Sequence, residues 1–131
     1  MMEQFPTLTH VAVTVTDLDR SVAWYSRLFG TDPVIVTRAP TFAWAAWPEF
    51  GLHQHDEPLD DVTFSERRPG LDHVAFKCAD HDVLEAWRQR LDELGLEHSD
   101  VLHEFYGSGL ALRDPDGIAL EFFAPRKPKK P

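Results

Sequence analysis

Apolar and smaller or polar side chains alternate along residues 9–15, "THVAVTV". Val11, Val13 and Val15 fall on one face of an extended segment, and His10, Ala12 and Thr14 on the other. After "TDLDRS" the period lengthens to that of a helix. Leu18, Val22, Tyr25, Leu28 and Phe29 share one side, Asp17 or Asp19 is placed to cap the start, and Gly30 ends the run. Three further stretches of strand character follow: "PVIVT", "TFAWAAW" and "GLHQH".

The same pattern then recurs. "HVAVTVTDLDRSVAWYSRL" at 10–28 and "HVAFKCADHDVLEAWRQRL" at 73–91 agree without a gap at nine of nineteen positions, at an offset of 63. Among the shared positions are His10/His73, Asp17/Asp80, Trp24/Trp87 and Leu28/Leu91. An identity of that density is an internal repeat, and it sets the reading of the whole chain. In the second copy Val74, Phe76 and Cys78 oppose His73, Ala75 and Lys77, and a helix carries Leu84, Trp87, Leu91 and Leu94 up to Gly95. Weakly strand-like "EHSDVLHEF", then "GLALR" and "IALEFF", complete it, the last two joined by the turn "DPDG" at 114–117.

The expected fold is therefore α+β: two tandem βαβββ modules forming a curved mixed sheet around a cup-shaped cavity. At 131 residues this is one domain. Its first module spans about 7–58, its linker about 59–69 and its second module about 70–125, and a basic tail at 126–131 is read as disordered. One helix per module covers one sheet face. The opposite faces, which carry both histidines, would line the cup.

Composition narrows the function classes. The net charge is -9, and about -13 without the four basic residues of "PRKPKKP" (9 basic against 22 acidic over residues 1–125), a balance that repels nucleic acid and anionic lipid. No apolar run is long enough to span a membrane, and "MMEQFPTLTH" lacks the pattern of a secretory signal. The lone Cys78 excludes an internal disulfide and reads as a small core residue; a cytoplasmic location is expected.

On the last strand Ile118, Leu120 and Phe122 oppose Ala119, Glu121 and Phe123. A carboxylate set among such neighbours and buried without a partner would cost several kcal/mol, so Glu121 calls for a cation, a proton or a metal. With His10 and His73 it would form a divalent-metal site suited to Fe, Mn, Ni, Co or Zn. Matching Leu52 to Leu120 puts His53 at the position equivalent to Glu121, as a fourth ligand or a catalytic base, with His55 two residues on. Phe42 and Trp44 alternate with residues of the opposite face, and Tyr106 lies in the loop "FYGSG"; with His55 they are the candidate substrate-pocket residues. Trp24 and Trp87 are read as packing, and His81, His98 and His103 as solvated positions at helix caps or loops.

"THVAVTVTDLDRSVAWYSRLFG", "GLDHVAFKCAD" and "LRDPDGIALEFFAP" resemble, in that order and over residues 7–125, the vicinal oxygen chelate superfamily. That superfamily includes glyoxalase I, methylmalonyl-CoA epimerase, fosfomycin-resistance transferases, extradiol dioxygenases and bleomycin-resistance proteins. The resemblance implies that His10, His73 and Glu121 bind the ion, and that the ion binds oxygens of a small-molecule substrate. It also implies a homodimer. The glyoxalase I pattern has a glutamate on the last strand of the first unit, where this chain has "LHQH". Three functions stay open: isomerase or lyase chemistry with His53 as base, ring-cleaving dioxygenation with Fe(II), and metal-free sequestration of a ligand such as an antibiotic.

Overall fold

The computed structural model of the chain describes residues 4–59 and 63–127. The chain divides into two compact units, Met1–Val62 and Thr63–Pro131. Unit 1 comprises β1 (Val11–Thr14), α1 (Leu18–Phe29), β2 (Ile35–Arg38), β3 (Phe42–Trp47) and β4 (Phe50–His55). Unit 2 comprises β5 (Val74–Lys77), α2 (His81–Glu93), β6 (Leu102–Glu104), β7 (Gly107–Arg113) and β8 (Ala119–Pro125). Each is a βαβββ module, and the class is α+β as the repeat implied. Hydrogen bonding forms one four-stranded mixed sheet per unit, in the orders β1-β4-β3-β2 and β5-β8-β7-β6. The first strand of each runs parallel to the last, and the other neighbours are antiparallel.

Helix boundaries follow from capping. Of the two aspartates offered for α1, Asp17 is the cap: its side chain accepts from the Arg20 amide, while Asp19 sits in the first turn. Asp80 caps α2 in the same way, through the Val83 amide. Gly30 stops α1 with φ at 74°, a left-handed conformation that glycine adopts without strain. Gln54 adds a cap from the sheet, its side-chain oxygen accepting from the Leu18 amide at 2.7 Å. That bond explains why a polar residue stands between His53 and His55 on the helix side of β4.

Each helix packs on the last two strands of its unit and buries one sheet face. Val13, Tyr25, Leu28, Ala45, Trp47 and Leu52 are buried in unit 1, and Leu84, Leu91, Leu110, Leu112, Leu120 and Phe122 in unit 2. Fully burying a leucine or phenylalanine stabilises by about 1.5–3 kcal/mol, so these stripes hold helix to sheet. Asp114 organises the β7–β8 hairpin, where its carboxylate accepts from the Asp116 and Ile118 amides at 2.8 and 2.9 Å. In the linker, residues 60–62 lie outside the described residues, and Glu66 pairs with Arg113 of β7 at 2.7 Å. At the head of the basic tail, Arg126 donates its backbone N–H to the Tyr106 carbonyl; residues 128–131 lie outside the described residues.

Candidate functional site

His10 and His73 stand one residue before the first strand of their units, and each is held by the residue before it. Thr9 Oγ1 lies 2.8 Å from His10 Nδ1, and Asp72 Oδ1 lies 2.7 Å from His73 Nδ1. A carboxylate only accepts, so the bond to Asp72 places a ring proton of His73 on Nδ1 and turns Nε2 outward. This is how metal-binding histidines are oriented by their outer neighbours. The sequence analysis did not single out Thr9 and Asp72 as partners of the two histidines. The signal was present, since the repeat aligns a polar residue before each histidine.

Glu121 on β8 is flanked across the sheet by Ala75 of β5 and Ala111 of β7. Directly paired residues share a face, and His73 has the parity of Ala75, so histidine and glutamate stand on the face that α2 leaves free. Their nearest donors, His73 Nε2 and Glu121 Oε2, are 3.9 Å apart. Two bonds of about 2.1 Å to one ion can span that distance. The structure therefore brings His73 and Glu121, two of the three candidate ligands, near each other, with Nε2 of the imidazole facing the carboxylate. The donor chemistry, imidazole nitrogen and carboxylate oxygen, fits a divalent ion. Among the described residues no three or more His, Cys, Asp or Glu side chains cluster as a ready metal centre.

Strand pairing corrects the repeat alignment at its far end. Val11, Ala12, Val13 and Thr14 pair with Phe50, Gly51, Leu52 and His53, whereas their counterparts Val74, Ala75, Phe76 and Lys77 pair with Leu120, Glu121, Phe122 and Phe123. The equivalent of Glu121 is thus Gly51, and the equivalent of His53 is Phe123. Matching Leu52 to Leu120 was off by two residues, which preserves the face but moves every position. His53 loses its repeat argument as a fourth ligand, and unit 1 offers no side chain where unit 2 offers the carboxylate.

What His53 does join is an aromatic row. It pairs across the sheet with Thr14 on one side and Trp44 on the other, on the face of β1 that His10 extends. Its ring lies near-parallel to Phe42, Trp44 and His55, with centroids 6.3, 6.0 and 6.4 Å away. On β3, Ala45 and Trp47 are buried while Phe42 and Trp44 are only half-buried, so the aromatic set facing away from α1 is the one with His53 and His55.

In unit 2 a cavity of about 110 Å³ opens beside Glu121, bounded by Leu102, Tyr106, Gly109, Ala111 and Phe123 among others. Tyr106 lies in the turn between β6 and β7 and stacks on Phe123 at 5.9 Å, so it borders this cavity while remaining 55% exposed.

Of the remaining histidines, His81 and His103 are exposed as expected, and His98 is not. His98, with its side chain 13% exposed, places Nε2 2.6 Å from Asp92 and Nδ1 2.7 Å from the Ser99 carbonyl. Both partners accept, so the two bonds together favour the doubly protonated ring; the Asp92 bond first, then the Ser99 carbonyl, raises the His98 pKa, and the His98 bond lowers that of Asp92. His81 opens α2 and stacks on His103 of β6 at 5.4 Å. Cys78 is fully buried, and burial pushes its thiol up, against thiolate chemistry.

The model of the Glyoxalase/Bleomycin resistance protein/Dioxygenase superfamily matches residues 7–122, and the chain belongs to that family. It is 28% identical to "Glyoxylase I 4" of Arabidopsis thaliana over 121 residues, covering 87% of this chain and 68% of that protein. It is 30% identical to the trivalent organoarsenical cleaving enzyme of Bacillus sp. (strain MD1) over 119 residues, 87% of this chain and 70% of that one. Among solved structures, a glyoxylase/bleomycin resistance protein/dioxygenase domain from Frankia sp. EAN1pec superposes with a TM-score of 0.81 at 33% identity, covering 94% of this chain and all of that one. No helix among the described residues is long and apolar enough to cross a membrane.

Proposed function

We propose that the chain is a divalent-metal-dependent enzyme acting on a small oxygen-bearing molecule by isomerase or lyase chemistry. His10, His73 and Glu121 would hold the ion, with Fe, Mn, Ni, Co and Zn all suited to two imidazoles and one carboxylate. When bound, such an ion polarises a substrate oxygen and stabilises negative charge on it. The chain's residues supply the rest. Thr9 and Asp72 engage Nδ1 of the two imidazoles, which leaves Nε2 as the nitrogen each would offer to an ion. His53, on the same sheet face as His10, is the base that moves a proton, the work histidine does most often. Phe42, Trp44, His55 and Tyr106 supply aromatic contact to substrate.

The supporting observation is the repeated one: each strand-opening histidine has Nδ1 bonded to its predecessor, and in unit 2 the free nitrogen faces Glu121 at 3.9 Å. Metal content of protein purified without chelator tests the reading. One equivalent per chain in the wild type, lost in His73→Ala and in Glu121→Ala, is expected; a wild type free of metal that binds ligand tightly would mean a sequestering protein instead.

A second reading, Fe(II)-dependent ring cleavage, is favoured by Gly51. With glycine at the counterpart of Glu121, the protein offers two histidines and one carboxylate, a set that leaves coordination positions open for dioxygen and substrate. Oxygen uptake with Fe(II) protein and a catechol separates the two. A homodimer in the cytoplasm completes the proposal, and sedimentation equilibrium tests the dimer.

A further inference from the structure

We infer that His81 and His103 form a second divalent-metal site, on the opposite face of the unit 2 sheet from Glu121, which takes Zn²⁺, Cu²⁺ or Ni²⁺ and clips β6 to α2. The site shares no residue with the one proposed above and does not depend on it.

Strand register separates the two faces. His103 of β6 pairs with Ser108 of β7, which in turn pairs with Ala124 of β8. Their parity is that of Leu110 and Phe122, on the side that α2 covers, where Trp87 stacks on Phe122 at 4.2 Å. Leu102 and Glu104, on either side of His103, belong to the other face, as do Ala111 and Glu121. His103 therefore stands on the helix side, and His81, the first residue of α2, lies beside it.

The two rings suit one ion. Their centroids are 5.4 Å apart and their planes 16° apart. Two imidazoles held on one tetrahedral ion by bonds of about 2.1 Å have ring centres about 5 Å apart. Ser108 Oγ lies 2.8 Å from His103 Nδ1, which leaves Nε2 as the nitrogen to offer, the arrangement also found at His73. His81 is exposed, so its ring can turn a nitrogen to the same point. Asp80 and Asp82 flank it with negative charge that offsets the charge of an ion. Glu85, one turn along α2, is engaged by Arg88, so the chain supplies two ligands and water the others. Imidazoles without a carboxylate suit Zn, Cu and Ni and discriminate against Mg and Ca. The strand that would be clipped has three residues, all exposed, at the edge of its sheet. An ion that binds only where β6 is docked against α2 holds it there by mass action.

The full chain carrying His73→Ala and Glu121→Ala, stripped with chelator, tests this site without the ligands of the other, so failure of the catalytic metal reading leaves the result unchanged. Zn²⁺ is titrated at pH 7.5 while the imidazole proton resonances of His81 and His103 are followed. Both should move with a single Kd, Mg²⁺ should move neither, and Cu²⁺ below one equivalent should first broaden the amides of Asp82, His103 and Ser108. Adding His81→Gln or His103→Gln, both at exposed positions, should weaken Zn²⁺ at least tenfold while the rest of the spectrum stays in place. Separate constants for the two imidazoles, copper broadening that begins at His53 and His55, or a loss below tenfold in either variant would each overturn the inference.

Discussion

On the face of unit 1 turned away from its helix stand Phe42, Trp44, His53 and His55; the strand register places Gly107, Gly109, Phe123 and Pro125 at the same positions of unit 2. Gly51 in the first unit corresponds to Glu121 in the second. The helix-facing counterparts behave otherwise. Val13, Ala45 and Leu52 match Phe76, Leu110 and Phe122, all of them apolar. A face buried under its helix must stay apolar to hold helix against sheet, whereas the face that the helix leaves free is under no such demand. Unit 1 used that freedom to build an aromatic wall with imidazoles in it. Unit 2 built a carboxylate with an open hollow beside it.

The sharpest way to test that division of labour is to exchange its key positions. Glu121→Gly should abolish metal binding. Gly51→Glu should strengthen it about tenfold or more, read as metal retention against a chelator, because a Cβ at Gly51 meets only ordinary contacts, Ala45 O at 3.5 Å and Ala12 Cβ at 3.7 Å. Unchanged retention in Gly51→Glu would deny that this position corresponds functionally to Glu121. Next in size are the cores. Leu28 and Leu91 are repeat counterparts, both fully buried, and alanine at either should cost about 3 kcal/mol by denaturant unfolding. A large inequality would show that one helix is held by something other than its stripe. The paired caps come after: Asp17→Ala and Asp80→Ala should each cost about 1 kcal/mol.

A smaller effect belongs to unit 2 alone. The pKa of His98 is raised in the folded state by Asp92 and the Ser99 carbonyl. Its stabilisation is therefore fully present below the unfolded histidine value, about 6.5, and is lost as pH rises through the folded value. The Asp92 carboxyl is lowered, so its share is present above the ordinary aspartate value and is lost as pH falls through its folded value. The melting temperature of the wild type should fall as pH is raised above about 6.5, and that fall should vanish in His98→Gln. A retained slope would assign it to another group.

Much of this was legible because it is written in local chemistry. The offset of 63, the alternation in "HVAV" and "HVAF", the aspartate caps and "DPDG" all act within a few residues, and the elements formed where they predicted. Register was not legible. Leu52 and Leu120 look like partners because both are apolar and each precedes a polar residue, yet sliding a strand by two residues keeps its faces and leaves the pattern unchanged. Only the hydrogen bonds of β1 to β4 and β5 to β8 distinguish the two alignments. His98 was misread for a related reason: nothing in "GLEHSD" announces that the chain returns to α2 and Asp92.

The amino-acid order alone determined the repeated module, its helix limits, its buried stripes and the side on which His10, His73 and Glu121 stand, since periodicity and capping are short-range effects. Tertiary structure decided which residues lie side by side: Gly51 as the counterpart of Glu121, Oε2 of that glutamate near His73, and Phe123 lying across two glycines. Those are relations between strands distant in sequence, and their register depends on hydrogen bonds and packing that no local pattern encodes.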